Sequence, residues 1–325
     1  MKKRAKLALI GSGVAAAMVA AAAAVRQRAA EYFVDVALAR KAPPHSARAE
    51  KRIASSTANE NLWKKVQQEA EAFAGKAHET VQIQSRDNTR LVGHWLEVKD
   101  PKRIVVAMHG WRSSWNHDFG LVADFFREKG CSLLCPEQRG QGSSGGEYMG
   151  FGLTERYDCL DWVNWVNERT GGSYPIYLCG VSMGASTVLM AAGQKLPANV
   201  RGVIADCGFT SPVDIWKYVA KNHLRMPYGV CGGPAGKFAR KRLQMAVDEE
   251  TCPKALARSK VPVLFVHGTD DSFVPVEMTY ENYKACQSSK RLFVVPGAEH
   301  GMSYLVDPAG YRAAVEDFWA EFDKS

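Results

Sequence analysis

The pattern of hydrophobic and polar positions divides the chain into an apolar N-terminal segment, a polar stretch and a long region of alternating strands and helices. Residues 7–25 carry no charge, and residues 26–60 are polar and rich in alanine. From about Glu79 apolar residues recur at every second position, which is typical of a strand with one buried face. Later apolar runs are continuous, as in RIVVAMH at 103–109, which is typical of strands that are buried on both faces.

Eight strands are predicted in the long region. A hairpin that turns at Asp87-Asn88 supplies the first two, and six further strands alternate with helices. The six strands are residues 103–109, 132–136, 174–179, 200–205, 261–267 and 291–295, and the helices are residues 119–129, 154–169, 183–195, 276–286 and 307–322. Because buried strands that alternate with helices form a parallel sheet covered on both faces, the predicted fold class is α/β, a mostly parallel sheet flanked by helices.

The alternation is interrupted once, over about residues 209–259. This segment contains several prolines and a Gly-Gly-Pro sequence, and it predicts a small helical lid inserted after a strand. Its aromatic residues Trp216, Tyr218 and Phe238 either form an apolar pocket or pack within the lid, and the sequence supports both interpretations equally.

The N-terminal segment has the features of a membrane-targeting sequence. Four basic residues precede residues 7–25, and Arg26 and Arg28 follow them. Nineteen helical residues extend roughly 28 Å, about the thickness of the hydrocarbon core of a membrane. This favours a single-pass anchor with the basic N-terminus inside the cell and the folded domain outside the cytoplasmic membrane. The alternative is a secreted protein whose signal sequence is cleaved among the alanines at 20–24.

The sequence therefore predicts three parts. Residues 1–28 form the anchor or signal segment, residues 29–78 a helical stalk and linker, and residues 79–325 the folded domain. The net charge is +8, but residues 1–50 alone hold nine basic and three acidic residues. The folded domain is therefore close to neutral, and it lacks the basic surface and the motifs of a nucleic-acid-binding protein.

The eight cysteines are too sparse for a disulfide-rich scaffold. We interpret them as small buried apolar residues. If the domain is extracellular, Cys231 and Cys252 are the best candidates for one bridge, because they lie in less regular sequence. No group of cysteines and histidines has the spacing of metal ligands, so neither a metal nor a cofactor is expected.

The most specific motif is Gly180-Val181-Ser182-Met183-Gly184, between a predicted strand and a predicted helix. Glycines two positions before and after a serine permit a tight turn that exposes the hydroxyl group. The amides at the start of the following helix favour negative charge at the same place. The motif predicts that Ser182 is a nucleophile held on an elbow formed by Gly180 and Gly184.

A serine hydroxyl needs a base that accepts its proton and an acid that orients the base. His300 follows the last predicted strand and is the candidate base. Asp271 follows the preceding strand and is the candidate acid, whereas Asp206, at the end of another strand, is the alternative acid. The chain order Ser182, Asp271, His300 is the order expected for serine hydrolases with this strand–turn–helix elbow.

Two backbone amides are candidate donors to the oxyanion of a tetrahedral intermediate. The Met183 N–H lies next to the nucleophile, and the Trp111 N–H lies in the loop after the first long strand. The glycine-rich sequence at 137–146 lacks the lysine and the spacing of a phosphate-binding loop. We interpret it as a structural turn that lines the pocket.

These motifs resemble those of the α/β-hydrolase superfamily, over about residues 80–323. The similarity is greatest to its serine-aminopeptidase-like and dienelactone-hydrolase-like branches, and in particular to bacterial membrane-anchored hydrolases of this group. The family usually has Asp-x-Arg-Gly-His-Gly in the glycine-rich turn, where this chain has Glu137 and Gln141. The resemblance implies an eight-stranded α/β-hydrolase sheet and hydrolysis of esters, thioesters or amides.

The leading functional hypothesis is a serine hydrolase that cleaves small carboxylic esters through an acyl-enzyme. A serine peptidase acting on short peptides is the second hypothesis, and a catalytically silent surface binding protein is the third. The expected partners are a small ester, acyl or peptide substrate and, through the N-terminal segment, a membrane. The oligomeric state is not predicted.

Overall fold

A computed structural model describes residues 2–44, 60–225 and 228–323, with the backbone alone at residues 2–17, 60–61 and 230–231. Eight strands form one sheet. They are β1 (Glu79–Gln84), β2 (Arg90–Leu96), β3 (Arg103–Met108), β4 (Cys131–Glu137), β5 (Ile176–Val181), β6 (Val200–Asp206), β7 (Val263–Gly268) and β8 (Lys290–Val295). The number, order and type of the predicted strands are confirmed, with boundaries that shift by a few residues.

The strands are arranged in the order β1-β2-β4-β3-β5-β6-β7-β8. β1 and β2 form the predicted hairpin, and β2 pairs antiparallel with β4. All the remaining pairs are parallel. The carboxyl ends of β3 to β8 therefore lie along one edge of the sheet, where open α/β sheets bind their ligands.

The helices are α1 (Lys2–Leu38), α2 (Glu60–Ala74), α3 (Trp115–Glu128), α4 (Glu155–Thr170), α5 (Met183–Ala192), α6 (Pro212–Asn222), α7 (Tyr228–Leu243), α8 (Cys252–Leu256), α9 (Val276–Ala285), α10 (Ser303–Val306) and α11 (Pro308–Phe322). Apolar residues of α4, α5 and α8 pack against one face of the sheet. Residues of α2, α3 and α11 cover the other face. Successive residues of β3 point to opposite faces, which explains why its sequence is apolar throughout.

A third apolar cluster lies apart from these two layers and consists of the lid and the end of α1. It contains buried residues of α6 and α7, together with Ala30, Phe33 and Leu38 of α1. The predicted lid at 209–259 thus contains α6 and α7, whereas α8 belongs to the layer on the sheet.

The N-terminal helix differs from the predicted stalk, because its last turns are part of the folded domain. The side chain of Arg242 contacts Asp35 at 2.6 Å and Glu31 at 3.3 Å. The Met149 N–H donates to the Leu38 carbonyl at 2.7 Å. Helix α2 is also buried in part, through Val66 and Phe73. The alanine-rich composition of residues 26–60 is compatible with an exposed helix as well as a packed one, so it did not indicate these contacts.

The part of the chain that the structure describes contains no helix that is both long and apolar enough to span a membrane. The side chains of residues 2–17, which form much of the predicted anchor, lie outside the described set. The anchor at residues 1–28 therefore stays a prediction.

Seven cysteines are described, and each is buried and free: Cys131, Cys135, Cys159, Cys179, Cys207, Cys252 and Cys286. This agrees with their interpretation as small apolar residues. Cys252 donates to the Ser186 carbonyl at 3.6 Å, so the bridge considered between Cys252 and Cys231 is not formed. The Cys231 side chain lies outside the described residues.

Candidate active site

The backbone at Ser182 forms a sharp turn between β5 and α5. Ser182 has φ 56° and ψ −117°, a left-handed conformation that a residue with a side chain adopts only when its surroundings impose it. A Cβ atom at Gly180 would overlap the Gly184 carbonyl, and a Cβ atom at Gly184 would overlap the Met108 carbonyl. Both glycines are therefore required by close backbone approach.

Three side chains predicted from separate parts of the sequence meet at this turn. His300 Nε2 lies 2.9 Å from Ser182 Oγ. His300 Nδ1 lies 2.7 Å from Asp271 Oδ2. Because an ionised carboxylate only accepts hydrogen bonds, Nδ1 carries the proton and Nε2 is left to accept one from the Ser182 hydroxyl.

Asp271 is buried, and several donors hold its carboxylate. Its Oδ1 atom accepts from the Phe273 N–H at 2.9 Å and the Val274 N–H at 2.8 Å. Burial alone would raise the pKa of Asp271, but the charge of His300 and the hydrogen bonds from His267 and His300 outweigh it. The pKa of Asp271 is therefore held below its usual range, and this carboxyl group is ionised at neutral pH.

His267 is a contact of the site that the sequence did not indicate. Its Nε2 lies 3.1 Å from Asp271 Oδ2 and 2.8 Å from the Val274 carbonyl, and its Nδ1 lies 2.6 Å from Thr279 Oγ1. Because both partners of Nε2 are acceptors, Nε2 carries the proton. The four-residue spacing between His267 and Asp271 was the signal available in the sequence.

Asp206, the alternative acid, lies near the site but has a different partner. Its carboxylate accepts from Ser303 Oγ at 3.2 Å, and its backbone carbonyl accepts from the Ser182 N–H at 2.9 Å. Burial raises the pKa of Asp206 to about 6. The structure thus brings Asp271, and not Asp206, into hydrogen-bond contact with His300.

The loop after β3 carries one of the two predicted oxyanion donors and is held by Asp118. The carboxylate of Asp118 accepts from the Gly110 N–H at 2.6 Å and from Ser113 Oγ at 2.5 Å. Burial opposes ionisation of Asp118, but hydrogen bonding and charge from His117 outweigh it and lower its pKa. Asp118 therefore fixes the chain on both sides of Trp111, a role that the sequence analysis missed.

Trp111 and Met183, the residues of the predicted donors, line the same cavity as Ser182. Met183 is the first residue of α5, where the backbone N–H has no acceptor within the helix. Within the described part of the chain, neither the Trp111 N–H nor the Met183 N–H donates to another residue. Both donors are thus available to a substrate oxygen.

The cavity at Ser182 is narrow and apolar, with a volume of about 40 Å³. Side chains of α1, α6 and the loops after β3, β6 and β7 surround it: Phe33, Val36, Trp111, Phe209, Trp216 and Phe273 are among them. Of the lid aromatics considered from the sequence, Trp216 lies in this wall. The N-terminal helix therefore completes the site through Phe33 and Val36.

The pKa of His300 depends on its burial and on the neighbouring Asp271 carboxylate. Burial lowers the pKa of His300, but the charge of Asp271 and a contact with Cys207 outweigh this effect and raise the pKa well above its usual range.

Among the described residues, the ligand atoms of Cys207, Asp271 and His300 lie within 4.8 Å of one another, as a metal site requires. Asp271 and His300 form a hydrogen bond with each other. The sequence predicted no metal site.

Comparison with known proteins points to hydrolases. A family model described as serine aminopeptidase, S33, matches residues 99–226. The protein YqkD of Bacillus subtilis is 27% identical over 226 residues, which cover 70% of this chain and 74% of YqkD. The bifunctional esterase/perhydrolase DCH of Acinetobacter calcoaceticus is 22% identical over 243 residues, which cover 61% of this chain and 85% of that protein.

Solved structures show the same fold. The esterase Pf2001 of Pyrococcus furiosus superposes with a TM-score of 0.62 at 22% sequence identity, and the superposition covers 76% of this chain and 92% of the esterase. The order of strands, the elbow between β5 and α5 and these similarities agree with one another. The chain therefore has the α/β-hydrolase fold, and its residues 99–226 are similar to the serine aminopeptidase, S33, family.

Proposed function

We propose that this protein is a serine hydrolase that cleaves small carboxylic esters. The observation that carries the proposal is the continuous hydrogen-bonded series from Ser182 Oγ through His300 to Asp271, with distances of 2.9 and 2.7 Å. It lies against an apolar cavity that can take an acyl group. The similarity to hydrolases, including named esterases, supports the same class of reaction.

In the proposed reaction, Ser182 Oγ attacks the acyl carbonyl carbon while His300 Nε2 takes the hydroxyl proton. Asp271 keeps the ring in the required tautomer and stabilises the imidazolium ion. The Trp111 and Met183 N–H groups donate to the oxyanion, each contributing roughly 3 kcal/mol to transition-state stabilisation. His300 then protonates the leaving alcohol, and the acyl-enzyme remains.

Deacylation repeats these roles with water as the nucleophile. His300 Nε2 removes a proton from water, the hydroxide attacks the acyl carbonyl, and the proton passes to Ser182 Oγ as the acid leaves. A cavity of about 40 Å³ has space for roughly three water-sized groups. Short acyl chains, from acetyl to butyryl, are therefore the preferred substrates.

The test compares the wild type with Ser182→Ala, using p-nitrophenyl acetate and a fluorophosphonate probe that labels activated serines. Loss of both turnover and labelling in the variant supports the proposal. Ser186→Ala is the matched control, because this serine is buried four residues along the same helix. Full activity and labelling in Ser182→Ala would show that another residue is the nucleophile.

A peptidase acting on short peptides is the second candidate, and the description of the matching family model favours it. Recognition of a free amino terminus requires a carboxylate near the acyl pocket. Among the described residues, none that lines the cavity at Ser182 is acidic. Ester hydrolysis is therefore preferred, and comparing an aminoacyl p-nitroanilide with the matching p-nitrophenyl ester decides between the two.

A silent binding protein on a hydrolase fold is the candidate from another class. An intact series of three hydrogen-bonded groups argues against it, since binding alone does not need them. A folded protein that fails to turn over esters, thioesters and peptides, and that is not labelled by the fluorophosphonate, would favour this candidate over the enzymatic ones.

The N-terminal segment is proposed as a membrane anchor, with the catalytic domain outside the cytoplasmic membrane. Its support is the uncharged stretch at 7–25 between basic residues. Alkaline carbonate extraction of membranes tests it: the full chain should stay with the lipid, and a variant without residues 1–28 should not. Recovery of the full-length chain in the soluble fraction would reject the anchor, and a mature N-terminus after the alanines at 20–24 would establish secretion.

A further inference from the structure

Cys207 directly follows β6 and lies beside the proposed catalytic base. Its backbone has φ 50°, a left-handed conformation that a residue with a side chain adopts only when its surroundings impose it. The Cys207 N–H donates to the Val266 carbonyl of β7 at 2.9 Å, and the residue is 1% exposed. Its thiol contacts His300. The chain thus holds a buried thiol against the His300 ring, and the proposed reaction at Ser182 does not use it.

The thiol is one of three side chains whose ligand atoms converge. Those of Cys207, Asp271 and His300 lie within 4.8 Å of one another. A tetrahedral metal ion about 2.0–2.3 Å from each ligand brings its ligands to roughly 3.5 Å from one another. A small movement of the side chains would therefore close a site with three protein ligands.

The types of these ligands select the metal. A cysteine thiolate and an imidazole favour zinc, whereas magnesium and calcium prefer oxygen ligands. Zinc also accepts a carboxylate oxygen as its third ligand and water as its fourth. The donor set of Cys207, His300 and Asp271 therefore fits Zn²⁺.

The charges around the thiol also favour a cation. Burial raises the pKa of Cys207, the charge of His300 opposes this effect, and the charges of Asp206 and Asp271 add to it. Burial raises the pKa of Asp206 only to about 6, so both carboxyl groups are ionised at neutral pH. The three charged groups sum to a net negative charge even when His300 is protonated.

A metal ion can enter at the cost of one hydrogen bond. His300 has 20% of its side chain exposed, whereas the Asp271 side chain is fully covered, so the ion reaches the site past the ring. The bond from His300 Nδ1 to Asp271 Oδ2 is 2.7 Å long. Asp271 Oδ1 still accepts from the Phe273 and Val274 N–H groups when that bond is broken.

We propose that Cys207, Asp271 and His300 bind Zn²⁺, and that bound zinc inhibits the enzyme reversibly. The inference rests on the proposed hydrolysis at Ser182 and adds a means of regulating it. Cys207 releases its thiol proton to water and binds as the thiolate, and a protonated His300 likewise releases one proton. Metal at His300 Nε2 occupies the lone pair that takes the Ser182 proton, and metal at Nδ1 leaves the ring proton on Nε2. In both cases His300 cannot act as the base.

The first test measures turnover of p-nitrophenyl acetate after incubation with zinc chloride in a buffer that does not bind metals. Zn²⁺ should inhibit the wild type, the same concentration of Mg²⁺ should not, and EDTA should restore the rate. Cys207→Ser replaces the thiol by a hydroxyl group, which is a poor zinc ligand. It should raise the inhibition constant for Zn²⁺ by about tenfold or more, with the rate of each variant compared with its own rate without metal.

Two control variants separate this site from others. Cys286→Ser removes another buried free thiol. His223→Gln removes a nearby imidazole, whose Nε2 lies 3.0 Å from the Ser272 carbonyl. Both should keep the inhibition constant of the wild type. Equal inhibition of the wild type and Cys207→Ser, or loss of inhibition in His223→Gln, would overturn the proposed site.

A second test does not depend on turnover. Co²⁺ binds at zinc sites, and a thiolate ligand gives it a charge-transfer absorption band. A Co²⁺ titration should give this band in the wild type and Cys286→Ser but not in Cys207→Ser. Its absence in the wild type would overturn the metal site, while turnover of the ester upholds hydrolysis. No turnover and no fluorophosphonate labelling would overturn hydrolysis and its inhibition, and the Co²⁺ titration then decides the metal site alone.

Discussion

The Ser182 backbone shows how single residues set the geometry of the site. A left-handed conformation at a residue with a side chain costs of order 1–3 kcal/mol. Here the surroundings impose it, since Gly180 and Gly184 let the turn pack against the backbone of β3 and α5. The result is a hydroxyl group that faces His300 without a rearrangement of the chain.

The raised pKa of His300 has a direct consequence for pH dependence. Protonated His300 cannot accept the Ser182 proton, so kcat/KM should rise with pH through a pKa above the usual 6.5. Asp271→Asn removes the charge that raises this pKa, so the acid limb should move to lower pH. It should also lower kcat/KM by about 10⁴-fold, because the ring loses its orienting acceptor.

Initial rates with p-nitrophenyl acetate from about pH 5 to pH 9 measure both effects. Asp270→Asn is the matched control, because Asp270 is the exposed neighbour of Asp271. An acid limb below 6.5 in the wild type, or an unchanged limb in Asp271→Asn, would contradict the coupling of these two groups.

Helix α1 forms part of the wall of the apolar cavity. Phe33 packs edge-on against Trp216 of α6, with ring centroids 6.1 Å apart, and both rings line the cavity. The Trp111 indole donates to the Ala37 carbonyl at 2.8 Å. An element from the first forty residues thus limits the size of the cavity.

Phe33→Ala should therefore extend the accepted acyl chain. Removing the ring enlarges the cavity, so the optimum among p-nitrophenyl esters should move from acetyl or butyryl toward hexanoyl or longer. The variant should also lower the free energy of unfolding by about 3 kcal/mol, as expected for a large aromatic ring removed from a packed site. Tyr32→Ala, an exposed neighbour on the same helix, should change neither property, and an unchanged chain-length profile in Phe33→Ala would exclude α1 from the cavity wall.

The contrast between α1 and the sheet shows what the sequence could predict. Strands such as β3 and β7 have apolar sequence patterns that can be recognised from a few neighbouring residues. The motif at Ser182 combines a strand–helix pattern with two glycines that the turn requires. Ser182, Asp271 and His300 each follow a predicted parallel strand. Their positions at the same edge of the sheet could therefore be predicted without further information. The packing of α1 could not be predicted in this way, because Asp35 and its partner Arg242 are 207 positions apart.

The supporting roles of Asp118 and His267 were equally hard to predict from sequence. Asp118 and His267 support the site through hydrogen bonds to particular backbone and side-chain atoms. Their residue types are common in loops and helices, so the sequence alone did not distinguish them from solvated groups. Of the three lid aromatics, Trp216 lines the cavity and also packs in the lid cluster, whereas Phe238 packs against that cluster and does not line the cavity.

Across the whole molecule, Arg139 connects the glycine-rich turn to two distant elements. Its guanidinium contacts Asp158 of α4 at 2.6 Å and Asp87 of the β1–β2 hairpin at 2.7 Å. Asp158 is buried, and burial raises its pKa to about 7 even beside this arginine. The glycine-rich turn is therefore held to α4 and to the β1–β2 hairpin by the charged contacts of Arg139.

Arg139→Met should destabilise the protein because it leaves the Asp158 carboxylate buried without a partner. The free energy of unfolding should fall by about 3–5 kcal/mol at neutral to alkaline pH. Since the pKa of Asp158 in the folded variant lies above its value in the unfolded chain, the loss should shrink as pH falls and Asp158 takes up a proton. Urea denaturation at about pH 8 and pH 5 measures the difference.

Arg291→Met is the control for this measurement. Its ion pair with Glu321 is exposed, so its loss should change the free energy of unfolding by less than about 1 kcal/mol. Equal destabilisation by the two variants, or an Arg139→Met effect that grows as pH falls, would contradict the role assigned to Arg139.

The position of α1 also has a consequence for the order of folding during synthesis. Residues 30–38 leave the ribosome well before α7, against which they pack and which is made some two hundred residues later. Closing so long a loop is entropically costly, so this contact should form after the sheet and its helices. Until then the apolar cavity is open on the side that α1 covers. We therefore expect this early part of the chain to dock late in folding.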